Sequence, residues 1–118
     1  MHKNARAHAL AAILDEENEL QALFELIHKQ GHNGITLFKK YIQRLSSELP
    51  EETVKIYAQS IRLAMRQTGR SVYELAAGDM KALAALPGGK ASMQALLEEF
   101  RVEYRNRKAM LEIFNRVF

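Results

Sequence analysis

An all-α fold is what this sequence predicts, and three observations carry it. Apolar residues recur at three- and four-residue intervals through most of the chain. No run alternates apolar with polar residues as a half-buried strand would, and glycine and proline gather at a few points of punctuation. With 118 residues, 47% of them apolar and 26% charged, the chain is sized for a single domain, residues 1–118, around one core. The expected architecture is a compact bundle of about five helices, with long first and last helices packing near each other.

The first helix is expected over residues 5–29, with Leu10, Ile13, Leu14, Leu20, Phe24, Ile27 and His28 on one face. The run Gln30-Gly31-His32-Asn33-Gly34 ends it. A second, shorter helix over 36–46 turns Leu37, Phe38, Tyr41, Ile42 and Leu45 inward. Pro50 opens the third, over 50–68: its missing N–H costs nothing at a helix start, and Glu51 and Glu52 suit the positive end of the helix dipole. This helix is expected to bury Val54, Tyr57, Ala58, Ile61, Ala64 and Met65 and to stop at Gly69. Ser71-Val72-Tyr73-Glu74 reads as a capping box starting a short fourth helix, and Gly78-Asp79 restarts the chain into 80–86.

The last helix is expected from Ser92 to Phe118. Met93, Leu97, Phe100, Tyr104, Leu111, Phe114 and Phe118 follow a four-three spacing interrupted at Arg107, like a coiled-coil seam. Such a helix of about 27 residues would span about 40 Å. Two readings stand for its end, with Leu111, Phe114, Val117 and Phe118: packing against the equally long first helix, or projection beyond the core to seat a protein partner or a second copy.

Composition narrows the function classes. There is no cysteine, so disulfides and thiolate metal sites are excluded. The apolar run at residues 7–14 is too short to span a membrane, and Asp15-Glu16-Glu17 closes it without a leader cleavage site. A cytoplasmic protein with no membrane association is expected. His28 and His32 are four apart, but Gly31 lies between them and no third ligand is near, so no metal is expected. There is no P-loop, no Gly-x-Ser-x-Gly and no dinucleotide fingerprint, and Pro87-Gly88-Gly89-Lys90 lacks Walker spacing. The expectation is a protein that is not an enzyme and has no catalytic residues and no cofactor.

Charge is the better guide. The net charge is +3, unevenly spread: residues 1–32 hold three basic and five acidic side chains, residues 33–118 fourteen and nine. Lys55, Gln59, Arg62 and Arg66 follow four-, three- and four-residue spacing, which places them on one helical stripe opposite Tyr57 and Ile61. Arg70 extends the stripe, and no acid interrupts residues 53–70. Crowded like charges without an intrahelical counter-charge point to an external polyanion, because lysine and arginine supply most phosphate affinity and arginine and glutamine can also read base edges. The competing expectation is a solvated face paired in space with the acidic first helix, on a protein that works by interaction through its last helix.

The stretch from Leu37 to about Lys108 resembles the core-binding (SAM-like) N-terminal domain of tyrosine recombinases and phage integrases. The resemblance is carried by Leu37-Phe38-Lys39-Lys40-Tyr41-Ile42, by Pro50-Glu51-Glu52-Thr53-Val54-Lys55-Ile56-Tyr57, by two short helices at 72–75 and 79–86, and by Ala91-Ser92-Met93-Gln94 opening the last helix. It covers about 60% of the chain by element order and its motifs are degenerate. The charge split divides the chain into an acidic N-terminal helix, residues 1–32, which departs from the family's pattern, and a basic integrase-like module, residues 33–118. The resemblance implies that the equivalents of the third and last helices enter the DNA major groove. It therefore implicates Lys55, Gln59 and Arg62 together with Lys90, Ser92 and Gln94. The recombinase catalytic domain has no counterpart in these residues, so the resemblance implies binding without strand cleavage, with DNA ahead of RNA as partner.

Overall fold

A computed structural model describes residues 2–30 and 34–118. Among them the chain forms seven helices and no strand: α1 (His2–Glu16), α2 (Leu20–Lys29), α3 (Gly34–Glu48), α4 (Pro50–Ala64), α5 (Arg70–Ala84), α6 (Gly89–Glu103) and α7 (Lys108–Val117). The all-α expectation holds, with seven helices in place of about five. The helices group into two units, Met1–Leu49 and Pro50–Phe118.

In the first unit the expected long helix over 5–29 is two helices. Asn18 adopts a left-handed φ of 60°, which asparagine tolerates better than most residues. The Asn18 N–H donates to the Asp15 carbonyl at 3.1 Å and the Glu19 N–H to the Leu14 carbonyl at 2.8 Å. This pairing is a Schellman stop, which satisfies carbonyls that the helix end would orphan. Arg44 on α3 holds the stop from outside, donating to Asn18 Oδ1 and lying 3.5 Å from Asp15 Oδ1. The break changes which residues share a face. Leu20, Leu23 and Ile27 of α2 and Leu37, Phe38, Tyr41 and Leu45 of α3 are buried, while among its described side chains α1 contributes Ala7 and Ala11. Leu10 and Ile13, expected inward, are 46% and 51% exposed, and His28 is exposed. Gly31 and His32 lie outside the described residues.

In the second unit α5 packs against α4, α6 and α7, and α4 also packs against α6. α4 buries Val54, Tyr57, Ala58, Ile61 and the following Met65 as the spacing predicts, along with Thr53 and Ile56. It ends at Ala64, which is exposed, and not at residue 68. The two short helices expected after Gly69 are one continuous α5, with Gly78 in its middle. Its N-cap is Gly69 with φ 128°, without a side-chain cap, so the capping box read at Ser71 does not form. α6 likewise opens at Gly89, three residues before Ser92, behind a left-handed Gly88.

The expected 27-residue last helix is also two helices, broken at residues 104–107. Arg107 makes the break worthwhile. Its guanidinium donates to the Met65 carbonyl at 2.7 Å and the Gln67 carbonyl at 3.4 Å, beyond the end of α4. It also lies 3.6 Å from the centre of the Tyr104 ring and 5.9 Å from that of Tyr73. After the turn, α7 folds back and buries Met110, Ile113 and Phe114 completely. Phe114 faces Phe100 at 6.4 Å and meets Phe118 edge-on at 5.8 Å. Burying three such side chains contributes roughly 2 kcal/mol each, more than enough to favour folding back over projecting.

A polar tie links α4 to α5: the buried Tyr57 hydroxyl donates to Asp79 Oδ1 at 2.9 Å. Burial, then the Asp79 charge and this hydrogen bond, push the Tyr57 phenol well above its ordinary value. A group with a raised folded-state pKa contributes stability that is complete below the unfolded value, about 10 for tyrosine, and is lost as pH rises above it. Stability should therefore fall by up to about 1.4 kcal/mol per pH unit above about pH 10. Tyr57→Phe should cost about 1–2 kcal/mol at neutral pH by removing the donor to Asp79, yet show a shallower alkaline decline. Urea unfolding followed across pH checks both, and parallel curves for the two proteins would refute the assignment.

Candidate nucleic-acid interface

The predicted stripe is a real surface of α4. Lys55, Gln59 and Arg62 are exposed on it, and Arg66 is exposed in the turn that follows, where its N–H bonds the Leu63 carbonyl at 3.2 Å. Tyr57 and Ile61 are buried, as the spacing requires. The other side of α4 packs on α5 and α6, which leaves the stripe outward.

The charges on this surface differ from one another. Arg62 is held by Glu99 of α6 in a two-point pair, Nε to Oε2 at 2.9 Å and Nη2 to Oε1 at 3.2 Å. Arg70, expected to extend the stripe, instead opens α5 and is held by Glu112 of α7 at 3.0 Å. Both neutralising acids come from the C-terminal helices, at sequence separations of 37 and 42, and no intrahelical spacing reveals them. Among the described residues Lys55, Arg66 and Lys90 have no acidic partner. Pairs this exposed are worth at most about 1 kcal/mol each, so Arg62 and Arg70 could exchange their carboxylates for phosphates at small cost.

Lys90 and Gln94 are exposed in the first two turns of α6, and Ser92 is half-buried. Lys55 and Ser92 line one shallow groove of about 450 Å³ together with Val54, Pro87, Gly88 and Glu51. The groove thus brings the start of α4 to the start of α6, with Glu51 as its one acidic lining residue. The Pro87-Gly88-Gly89 connection is a packing device. A side chain at Gly89 would overlap the Leu83 carbonyl oxygen and lie 2.9 Å from its carbon, so only glycine lets α6 start this close to the end of α5.

The C-terminal residues expected at a partner interface are placed otherwise. Phe114 is fully buried in the second unit's own core, and Leu111, Val117 and Phe118 are half-buried. α7 presents no bare apolar stripe, because the turn at Arg107 returns it to α5. Among the described residues no cluster of three or more histidine, aspartate or glutamate side chains could hold a metal ion. No helix among them is long and apolar enough to cross a membrane.

The second unit holds eleven basic and eight acidic side chains, the first six of each. The excess positive charge thus belongs to the unit that carries the stripe. Comparison with protein-family models, with curated proteins and with solved structures returns no match.

Proposed function

We propose that this chain is a non-catalytic nucleic-acid-binding module that grips duplex DNA, ahead of RNA, through the outer face of α4 and the opening turns of α6. The observation that supports this best is the shared exposure of Lys55, Gln59 and Arg62 on one side of α4, above a core-facing side with Tyr57 and Ile61, with Arg66 exposed in the turn that follows. Lys55, Arg66 and Lys90 would contact phosphates and release counterions. Gln59 and Gln94 offer amide groups of the kind that pair with adenine edges. The recombinase core-binding resemblance favours the same two helices. Docking through the C-terminal helix has less to support it, since Phe114 is spent on the chain's own core.

The test is a titration of duplex DNA at several salt concentrations. Lys55→Glu with Arg66→Glu is the informative double variant, because neither residue holds a salt bridge and Arg62 does. Affinity at low salt should fall by about tenfold or more, and the slope of log affinity against log salt should shrink by about 2. Unchanged affinity and slope would remove this face from consideration.

A further inference from the structure

α1 is built the wrong way round for a helix that only covers its own core. Among its described side chains it buries two alanines, Ala7 and Ala11, and exposes two of its three large apolar ones, Leu10 and Ile13, with Leu14 half-buried. Leu10 also edges an apolar groove of about 720 Å³ walled by Leu14, Ala22, Phe24 and Leu26 of α1 and α2. On the exposed side, Arg6, Leu10, Ile13 and Glu17 follow four-, three- and four-residue spacing and are all exposed. They form one stripe with a cation at one end, two aliphatic side chains in the middle and an anion at the other. Glu17 stays on the helical path, its N–H bonding the Ile13 carbonyl at 3.0 Å.

The charge order is the second oddity. α1 has no acid in its first turn and no base in its last. Arg6 lies towards the positive end of the helix dipole, and Glu16 and Glu17 at the negative end. This order opposes the dipole and gives a lone helix nothing. Two such helices laid antiparallel gain from it. With a twofold axis midway between Leu10 and Ile13, Leu10 faces Ile13 of the second copy, and Arg6 faces Glu17 of the second copy at both ends. The apolar centre and the charged ends match in a single register, as a twofold contact between identical surfaces requires.

We infer that two copies of this chain associate through α1, antiparallel about that axis. A single helix pair buries less than a standard stable interface, so the association is weak and concentration-dependent. It uses none of the residues of the α4 face and stands apart from the nucleic-acid proposal.

Sedimentation velocity of the full chain from about 10 µM to about 1 mM suits an interface of this size. The mean mass should rise with concentration from 13.5 kDa towards twice that value. Arg6→Glu alone and Glu17→Arg alone each set like charges opposite at both ends, and each should raise the midpoint concentration roughly five- to tenfold. An equimolar mixture of the two variants should recover association, as should the Arg6→Glu/Glu17→Arg double variant. Both replacements put charge where the dipole favours it, so a melted helix cannot explain the loss, and circular dichroism checks this. Leu10→Ser with Ile13→Ser should remain monomeric. A parent chain that stays monomeric throughout overturns the inference. So does a dimer indifferent to both charge reversals, which would place the contact elsewhere.

Discussion

Gly89→Ala is expected to lower folding stability by about 3 kcal/mol or more, the largest effect of an added methyl group at any of the described glycines. The added carbon would overlap the Leu83 carbonyl oxygen. That atom is backbone at the end of α5, where it accepts from the Leu86 N–H at 3.0 Å. No rotamer change relieves the clash: α6 must back away from α5, taking with it the buried Leu96 and Phe100. Gly78→Ala is the control, since a side chain there meets nothing within 4 Å. In mid-helix it should stabilise by about 0.5–1 kcal/mol. Thermal unfolding of the two variants should move in opposite directions. A Gly89→Ala protein as stable as the parent would mean that the α5–α6 approach is looser than described.

Arg107→Ala is expected to cost about 2–3 kcal/mol, a fall in melting temperature on the order of 10 °C. The guanidinium satisfies carbonyls past the end of α4 that have no helical partner, and charged donors of this kind contribute about 1.5–3 kcal/mol. Its stacking on Tyr104 adds about 0.5–1 kcal/mol at a partly exposed site. Arg107→Lys should leave about 0.5–1 kcal/mol of the loss unrecovered, because an ammonium lacks the flat face that stacks on Tyr104. Full recovery by lysine would reduce the role of Arg107 to charge alone. Chemical denaturation of the three proteins separates the cases.

These two residues also mark where sequence pattern stops being informative. Helical periodicity placed Leu37, Phe38, Tyr41 and Leu45, and Val54, Tyr57 and Ile61, on buried faces correctly. It did so because one helix face against one core is a local matter. The two long-helix expectations failed for a shared reason. The stops at Asn18 and Arg107 depend on side chains or carbonyls 26 to 42 residues away, Arg44 in one case and Met65 in the other. The interruption of the apolar spacing at Arg107 was the available signal for the second break, and the asparagine after three acids at 15–17 was a fainter one for the first. On the candidate interface, exposure of Lys55, Gln59, Arg62 and Arg66 followed from the spacing. The neutralisation of Arg62 by Glu99 and of Arg70 by Glu112 did not, because it arises between helices.

The position of α5 has a consequence for how the second unit breathes. α5 touches α4, α6 and α7, and it buries Tyr73, Ala76, Ala77, Met80 and Leu83. Fraying of α7 or a slip of α6 still leaves it packed on its remaining neighbours. Its central amides can therefore exchange with solvent deuterium only when the whole unit opens, so their protection reports the global free energy, whereas amides of α7 report a smaller, local one.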